Sequence, residues 1–207
     1  MDTWANVAAE RTELANLLET LTPAQWDAQS LCDQWKVRDV VAHVAMGSEK
    51  ISMGRMMGDM LKYRFSLNRM LAGTAIDAGR QPPEDLVKKL RENAEARNTP
   101  PMTKPEDVLA DVVVHAQDIR RPLGASRQIP DDRLIGVLDR MKTVGSIIGA
   151  KKRIAGLKLA ATDVDWTYGD GPEVRGPGEA LLMAMSGRRV AIDDLQGEGV
   201  ETLRSRS

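Results

Sequence analysis

Only two histidines occur in this chain, and each lies in a stretch with helical spacing. His115 belongs to DVVVHAQDIRR, with Asp111 four residues before it and Asp118 three after. At 3.6 residues per turn all three side chains share one stripe, so an acid and an imidazole at i and i+4 can grip one ion from a single helix. His43 lies on a second apolar stretch, where Val40, His43, Val44 and Gly47 fall on one face. His43, Asp111 and His115 would then make three protein ligands of mixed nitrogen and oxygen type. That number leaves a position open for water or substrate, the pattern of a catalytic zinc-type site. Two neutral imidazoles and one carboxylate offset only part of a divalent charge, so the ion stays electrophilic and stabilises a bound anion. Asp118 is a rival third ligand. A plainer alternative stands beside this one: a helix-face histidine is commonly a hydrogen-bonded core or boundary residue, and Asp-x-x-x-His arises often by chance.

The elements that must position these groups are mostly helices. Trp4, Val7, Ala8, Leu14, Leu17, Leu18 and Leu21 recur at helical spacing. Thr22-Pro23 reads as an N-cap followed by Pro at the first helical position, opening a short helix that carries Trp26. SLCDQW is a turn, and a helix then runs from about Val37 into a Met-rich stretch. A further helix is expected from Asp59 to Ala78, broken at Ala78-Gly79-Arg80, and another from Pro82 to near Asn98. NTPPMTKP is a loop. Pro105-Glu106-Asp107 begins the helix of Asp111 and His115, with acids where the dipole favours them, and Pro122 ends it. Pro130-Asp131-Asp132 opens a helix expected to reach about Gly149. Beyond Lys151-Lys152-Arg153 the pattern changes. LKLAATDVDWTYG alternates as a strand, GDG reads as a hairpin turn, EVRG as a second strand, and Pro177 starts a helix that stops at Gly187. The fold class is mainly α: residues 1–150 form a metal-binding helical bundle, and residues 151–207 form a small α+β domain packed on it.

Composition narrows the function classes. A chain of 207 residues can build a stable core without a structural metal, so a metal here would do chemistry. Twenty-nine basic against 30 acidic residues give no electrostatic footprint for nucleic acid or an anionic membrane. One cysteine excludes an internal disulfide and fits a reducing compartment. The charged N-terminus and the short apolar runs suggest neither a signal peptide nor a membrane span, so the cytoplasm is the expected location. Cys32, beside Leu31 and between Trp26 and Trp35, reads as a buried structural thiol rather than a nucleophile. The Met46, Met53, Met56, Met57 and Met60 cluster reads as plastic core or pocket lining.

Three stretches carry a resemblance: AAERTELANLLETLTPAQWDAQSLCDQWKVRDVVAHVA, DVVVHAQDIRRPLG and LAATDVDWTYGDGPEVRGPGEALLMAMSGR. They resemble the mycothiol-dependent maleylpyruvate isomerase family of the DinB/YfiT-like superfamily, over nearly the whole length. The resemblance implies a four-helix DinB-like bundle with a divalent metal, usually zinc. It implies ligands at His43, in W-x-V-x-D-V-x-x-H, and at Asp111 and His115, in the position of an E-x-x-x-H pair. Asp111 replaces the family's usual Glu and is one methylene shorter, so it must sit closer or act through a water. The family pattern makes Asp118 an outer partner of the histidine rather than a ligand. Arg188 resembles the arginine of the family's C-terminal G-R motif, which implies contact with an anionic substrate or the thiol cofactor; Arg189 is adjacent, and a helix-terminal cation is the plainer role.

The expected function is that of a metal-dependent enzyme using a low-molecular-weight thiol, mycothiol by resemblance, against a small electrophilic substrate. The outcome would be S-transfer or cis–trans isomerisation. Two other classes remain at this stage: metal-assisted amide or ester hydrolysis with Asp118 as base, and a non-catalytic metal-binding module. H-E-x-x-H is absent, which counts against a peptidase. A monomer or homodimer is expected.

Overall fold

The computed structural model describes residues 2–49, 52–100, 103–143 and 149–207. The chain divides into two compact units, Met1–Ser126 and Arg127–Ser207.

In the first unit, α1 (Thr3–Leu18) begins where the Asp2 carboxylate accepts from the Trp4 and Ala5 amides. The short α2 (Pro23–Trp26) carries a capping box made by Thr22 and Gln25. There follow α3 (Val37–Gly47), α4 (Met53–Lys62), α5 (Leu67–Ala78), α6 (Pro83–Glu92) and α7 (Pro105–Arg120). Helix α1 packs on α6 and α7, and α3 packs on the same two, which closes a four-helix bundle of the DinB-like kind. Its core is aliphatic: Leu14, Leu18, Val40, Val41, Val44, Leu86, Leu90, Val112 and Ile119 are all buried. Burial of side chains of this size contributes about 1.5–3 kcal/mol each against the entropy of ordering the chain. Helix α5 packs on α3, and α4 packs on α5.

The expected single helix from Asp59 to Ala78 is two helices. Arg64 and Phe65 both adopt left-handed backbone conformations (φ 57° and 56°), which breaks α4 from α5, and Ser66 caps the new start by accepting from the Arg69 amide. The Met cluster is not core: α4 has no buried residue, and Met53 and Met57 are exposed.

The second unit holds α8 (Asp131–Met141), the short α9 (Ala150–Arg153), β1 (Lys158–Ala161), β2 (Thr167–Tyr168), β3 (Glu173–Gly176), α10 (Gly178–Met185), a 3-10 helix (Arg189–Asp194) and α11 (Val200–Ser205). Helix α8 ends at Met141, capped by Lys142, well short of the end expected near Gly149; residues 144–148 lie outside the described residues. Helix α10 is buried almost all round, against α8, the sheet and the 3-10 helix. Because α8 packs on α10, the compact units divide at 126/127, ahead of the boundary at 150 read from the change of pattern. The sheet also differs from expectation. LKLAATDVDWTYG is not one strand but an antiparallel pair, β1 and β2, and β3 adds to the other edge of β1 in parallel, giving the order β2-β1-β3. GDG is therefore a connection between the two edges and not a hairpin turn. Gly169, at φ 77°, supplies the left-handed residue it needs, and an added Cβ there would meet the Leu157 carbonyl. Among the described residues no helix is long and apolar enough to cross a membrane.

Candidate metal centre

The facing of α3 and α7 brings His43, Asp111 and His115 together. On α3 the residues around His43, Val40 and Val44 among them, are buried in the bundle core, which fixes that helix's rotation. On α7, Val112 and Ala116 do the same for the stripe that carries Asp111 and His115. The ligating atoms of the three residues lie within 4.8 Å of one another. Asp111 Oδ1 is 3.6 Å from His43 Nε2 and 3.5 Å from His115 Nε2. Charge-assisted hydrogen bonds close to about 2.7–2.9 Å, so the carboxylate stands off both rings. Ligands held about 2.1 Å from an ion in tetrahedral array lie about 3.4 Å apart, which matches both separations. The donor set and its spacing fit a divalent ion. With side-chain exposures of 20% for His43, 12% for His115 and 44% for Asp111, the group opens to solvent on the acid's side.

Asp118 sits on the opposite edge of the His115 ring. Its fully buried carboxylate oxygen Oδ2 is 2.9 Å from His115 Nδ1. A carboxylate only accepts, so Nδ1 carries the proton and Nε2 turns toward Asp111. The same oxygen accepts the Cys32 thiol proton at 3.1 Å, and the Leu31 amide donates to the Asp118 carbonyl at 3.0 Å. Cys32, His115 and Asp118 thus form a second cluster, held by hydrogen bonds. Cys32 is half-buried and joined to the histidine's partner, not the plain core thiol that its apolar neighbours suggested.

Electrostatics follow from this layout. Burial opposes a charge on His115, but Asp111, Asp118 and Cys32 outweigh it and raise the imidazole well above its ordinary value. Partial loss of water around the Asp111 carboxyl opposes its ionisation, and the facing His115 and His43 reverse that, holding it below the usual carboxylate range. Two further residues were not read from the sequence. Arg11, buried on α1, donates to the carbonyls of Asn93, Ala94 and Ala96 beyond α6, and the charge of Asp111 partly offsets its burial. Trp35 lies against both histidine rings, with centroids 5.0 Å from His43 and 5.8 Å from His115. The eight-residue step from Trp35 to His43, within the W-x-V-x-D-V-x-x-H stretch, was the available signal for it.

Arg188 belongs to the second unit. It is half-buried at the N-cap of the 3-10 helix, and its Nη1 donates to the Ser186 carbonyl at the end of α10. Burial, and then the nearby Arg188 charge, lower the pKa of Arg153. Arg189 is exposed.

Residues 7–109 match the family model described as the mycothiol maleylpyruvate isomerase N-terminal domain. That span includes His43 and stops two residues short of Asp111. Two solved structures share the fold. One is a mycothiol-dependent maleylpyruvate isomerase, at TM-score 0.64 and 15% identity, with 95% of this chain and 92% of that chain covered. The other is a histidine-to-alanine mutant of such an isomerase, at TM-score 0.61 and 14% identity, with the same coverage. No curated protein sequence matches the chain significantly.

Proposed function

The chain belongs to the mycothiol maleylpyruvate isomerase family, and from that premise we propose that it is a metal-dependent enzyme that turns a low-molecular-weight thiol, mycothiol, against a small electrophile. What supports this reading most is the stand-off of Asp111 from both Nε2 atoms, at 3.5 and 3.6 Å, with a buried carboxylate behind one ring.

His43, Asp111 and His115 are the proposed holders of the ion, zinc by family resemblance. When bound there, a divalent cation of this kind favours the thiolate over the thiol and so supplies the nucleophile at neutral pH. The protein's own groups do the rest. Asp118 fixes the His115 tautomer through Nδ1, so that Nε2 presents its lone pair. Asp111 contributes a single negative charge, which leaves the site net positive toward an anionic sulfur. Arg188 is the proposed contact for a carboxylate on the substrate or the thiol. The thiolate sulfur forms a bond to an electrophilic carbon as that carbon either releases its leaving group with the bonding pair or gives up the π bond of an activated double bond, whose electrons pass to the conjugated carbonyl as an enolate. If the adduct is kept, the enzyme is an S-transferase. If attack falls on a cis double bond, rotation and loss of the thiolate return a trans product, as in the isomerisation named for the structural neighbours.

Metal-assisted hydrolysis has less support. Asp118, its candidate base, is fully buried and already accepts from His115 and Cys32. The thiol chemistry, together with the lone cysteine, suits a reducing cytoplasm.

Elemental analysis of the purified protein, paired with thiol-transfer assays using mycothiol and a bimane electrophile or maleylpyruvate, tests the proposal. His115→Ala should lose metal and thiol-dependent turnover together. Turnover that persists in a metal-free, folded His115→Ala protein overturns it.

A further inference from the structure

The two histidines are oriented by different means. His115 is held through Nδ1 by the buried Asp118. His43 has no such carboxylate: apart from Asp111, which faces its Nε2, the structure gives it ring contacts and no side-chain hydrogen bond among the described residues. Its ring meets the edge of His115 at 4.9 Å and 76°, and it lies tilted 34° to the Trp35 indole at 5.0 Å.

Trp35 is unusually well fixed for a loop residue. Its carbonyl accepts from the Ser30 amide at 3.2 Å, the Ser30 hydroxyl at 2.6 Å and the Gln29 side-chain amide at 2.9 Å. Its own amide donates to the Cys32 carbonyl at 2.9 Å. The indole Nε1–H donates to the Ala72 carbonyl on α5 at 3.3 Å. The loop it ends is pinned in turn to α7 through Leu31 and Cys32. An aromatic plane tied to α5 and, through its loop, to α7 thus rests against an imidazole to which the described residues give no orienting hydrogen bond through its other nitrogen.

We propose that Trp35 is a positioning residue for the metal centre, setting the ring plane of His43 as Asp118 sets that of His115. The inference rests on the metal-binding reading above and adds to it a residue that is outside the proposed set of donors. Its physical content is simple. A histidine ring free to rotate about its side-chain bonds must lose that freedom on ligation, whereas a ring already held by packing loses less, so affinity is higher. Outer partners of metal ligands typically contribute about 10–100-fold in affinity. The aromatic face is the element that matters, so Phe at this position should serve better than an aliphatic side chain of similar bulk.

The test is zinc affinity, measured by chelator competition on metal-stripped protein, for the unaltered chain and for Trp35→Phe, Trp35→Leu and Trp35→Ala. Absorption spectra of the cobalt-substituted proteins and thermal unfolding in chelator accompany it. The expected result is a loss of about tenfold or more in affinity for Trp35→Leu and Trp35→Ala, with altered cobalt ligand-field bands, and recovery of both in Trp35→Phe. If Trp35→Ala does not fold, the comparison of Leu with Phe decides. A purely structural Trp35 would lower the unfolding temperature while leaving zinc affinity and the cobalt spectrum unchanged, and that result overturns the inference alone. Equal losses in Phe and Leu also overturn it. An unaltered chain that binds no zinc overturns the metal reading and this inference together.

Discussion

Asp118→Asn probes the link between the buried carboxylate and His115, the proposed ligand it orients. The substitution keeps shape and volume at a fully buried position, so it changes little besides charge and donor pattern. Asp118 Oδ2 receives the His115 Nδ1 proton at 2.9 Å and the Cys32 thiol at 3.1 Å. If the amide oxygen takes the carboxylate's place, a charge-assisted hydrogen bond worth about 1.5–3 kcal/mol becomes a neutral one of about 0.5–1.5 kcal/mol. If the amide nitrogen faces the ring, two donors oppose each other and Nε2 loses its aim. Either outcome weakens His115 as a ligand, and a fall of about 10–100-fold in zinc affinity is expected, or about 1.4–2.7 kcal/mol. Chelator competition reads this directly. At equal free zinc, the stabilisation conferred by the metal should shrink by the same amount. The metal-stripped protein adds a sign. His115 has a raised pKa when folded, so the stability its proton confers is fully present below the unfolded histidine's pKa and is lost as pH rises through the folded value. Asp118→Asn should diminish that acid-side stabilisation. A folded Asp118→Asn protein with unchanged zinc affinity would refute the role assigned to the carboxylate.

Three further outcomes are expected. Zinc must displace the proton that His115 holds, so apparent affinity should fall about tenfold per unit of acidification while the pH lies below the folded pKa of His115; a flat pH profile across the neutral range would count against His115 as a ligand. Cys32→Ala should retain thiol-dependent turnover, because the nucleophilic sulfur comes from the co-substrate, and should cost about 0.5–1.5 kcal/mol for the lost donor to Asp118, read by denaturant unfolding. Arg188→Ala should lower kcat/KM for a carboxylate-bearing electrophile by about 10–100-fold while leaving zinc affinity untouched; equal kcat/KM for charged and uncharged electrophiles in both proteins would remove Arg188 from the site.

What the sequence revealed of this site, and what it hid, follow from the range of each interaction. Asp111 and His115 are one helical turn apart, so their shared stripe is a property of the chain alone. His43 could be assigned to a helix face by the valines around it, but its approach to α7 depends on how α3, α6 and α7 pack. The nitrogen that Asp118 would engage was not decided by its three-residue step from His115, since both edges of an imidazole are within reach from that distance. The Cys32–Trp35 loop was the least legible part. Its shape comes from Gln29 and Ser30 side chains bonding backbone carbonyls, which leaves no periodic trace. Similar reasoning covers the fold. The left-handed pair Arg64-Phe65 has no glycine to announce it, and the parallel placement of β3 on β1 is a non-local choice that alternation cannot encode. The amphipathic face of α8 is equally suited to a bundle or to α10, so its pattern could not say which unit it joins. The candidate donors were legible because a helix writes its geometry into residue spacing. The groups that orient them were mostly not, because loops hold them by contacts between residues whose order carries no period. Trp35 left a trace that went unread: it sits one residue before the N-cap of α3, at a fixed chain distance from His43, yet its place against that ring is set by contacts to Ser30, Gln29 and Ala72 that carry no period.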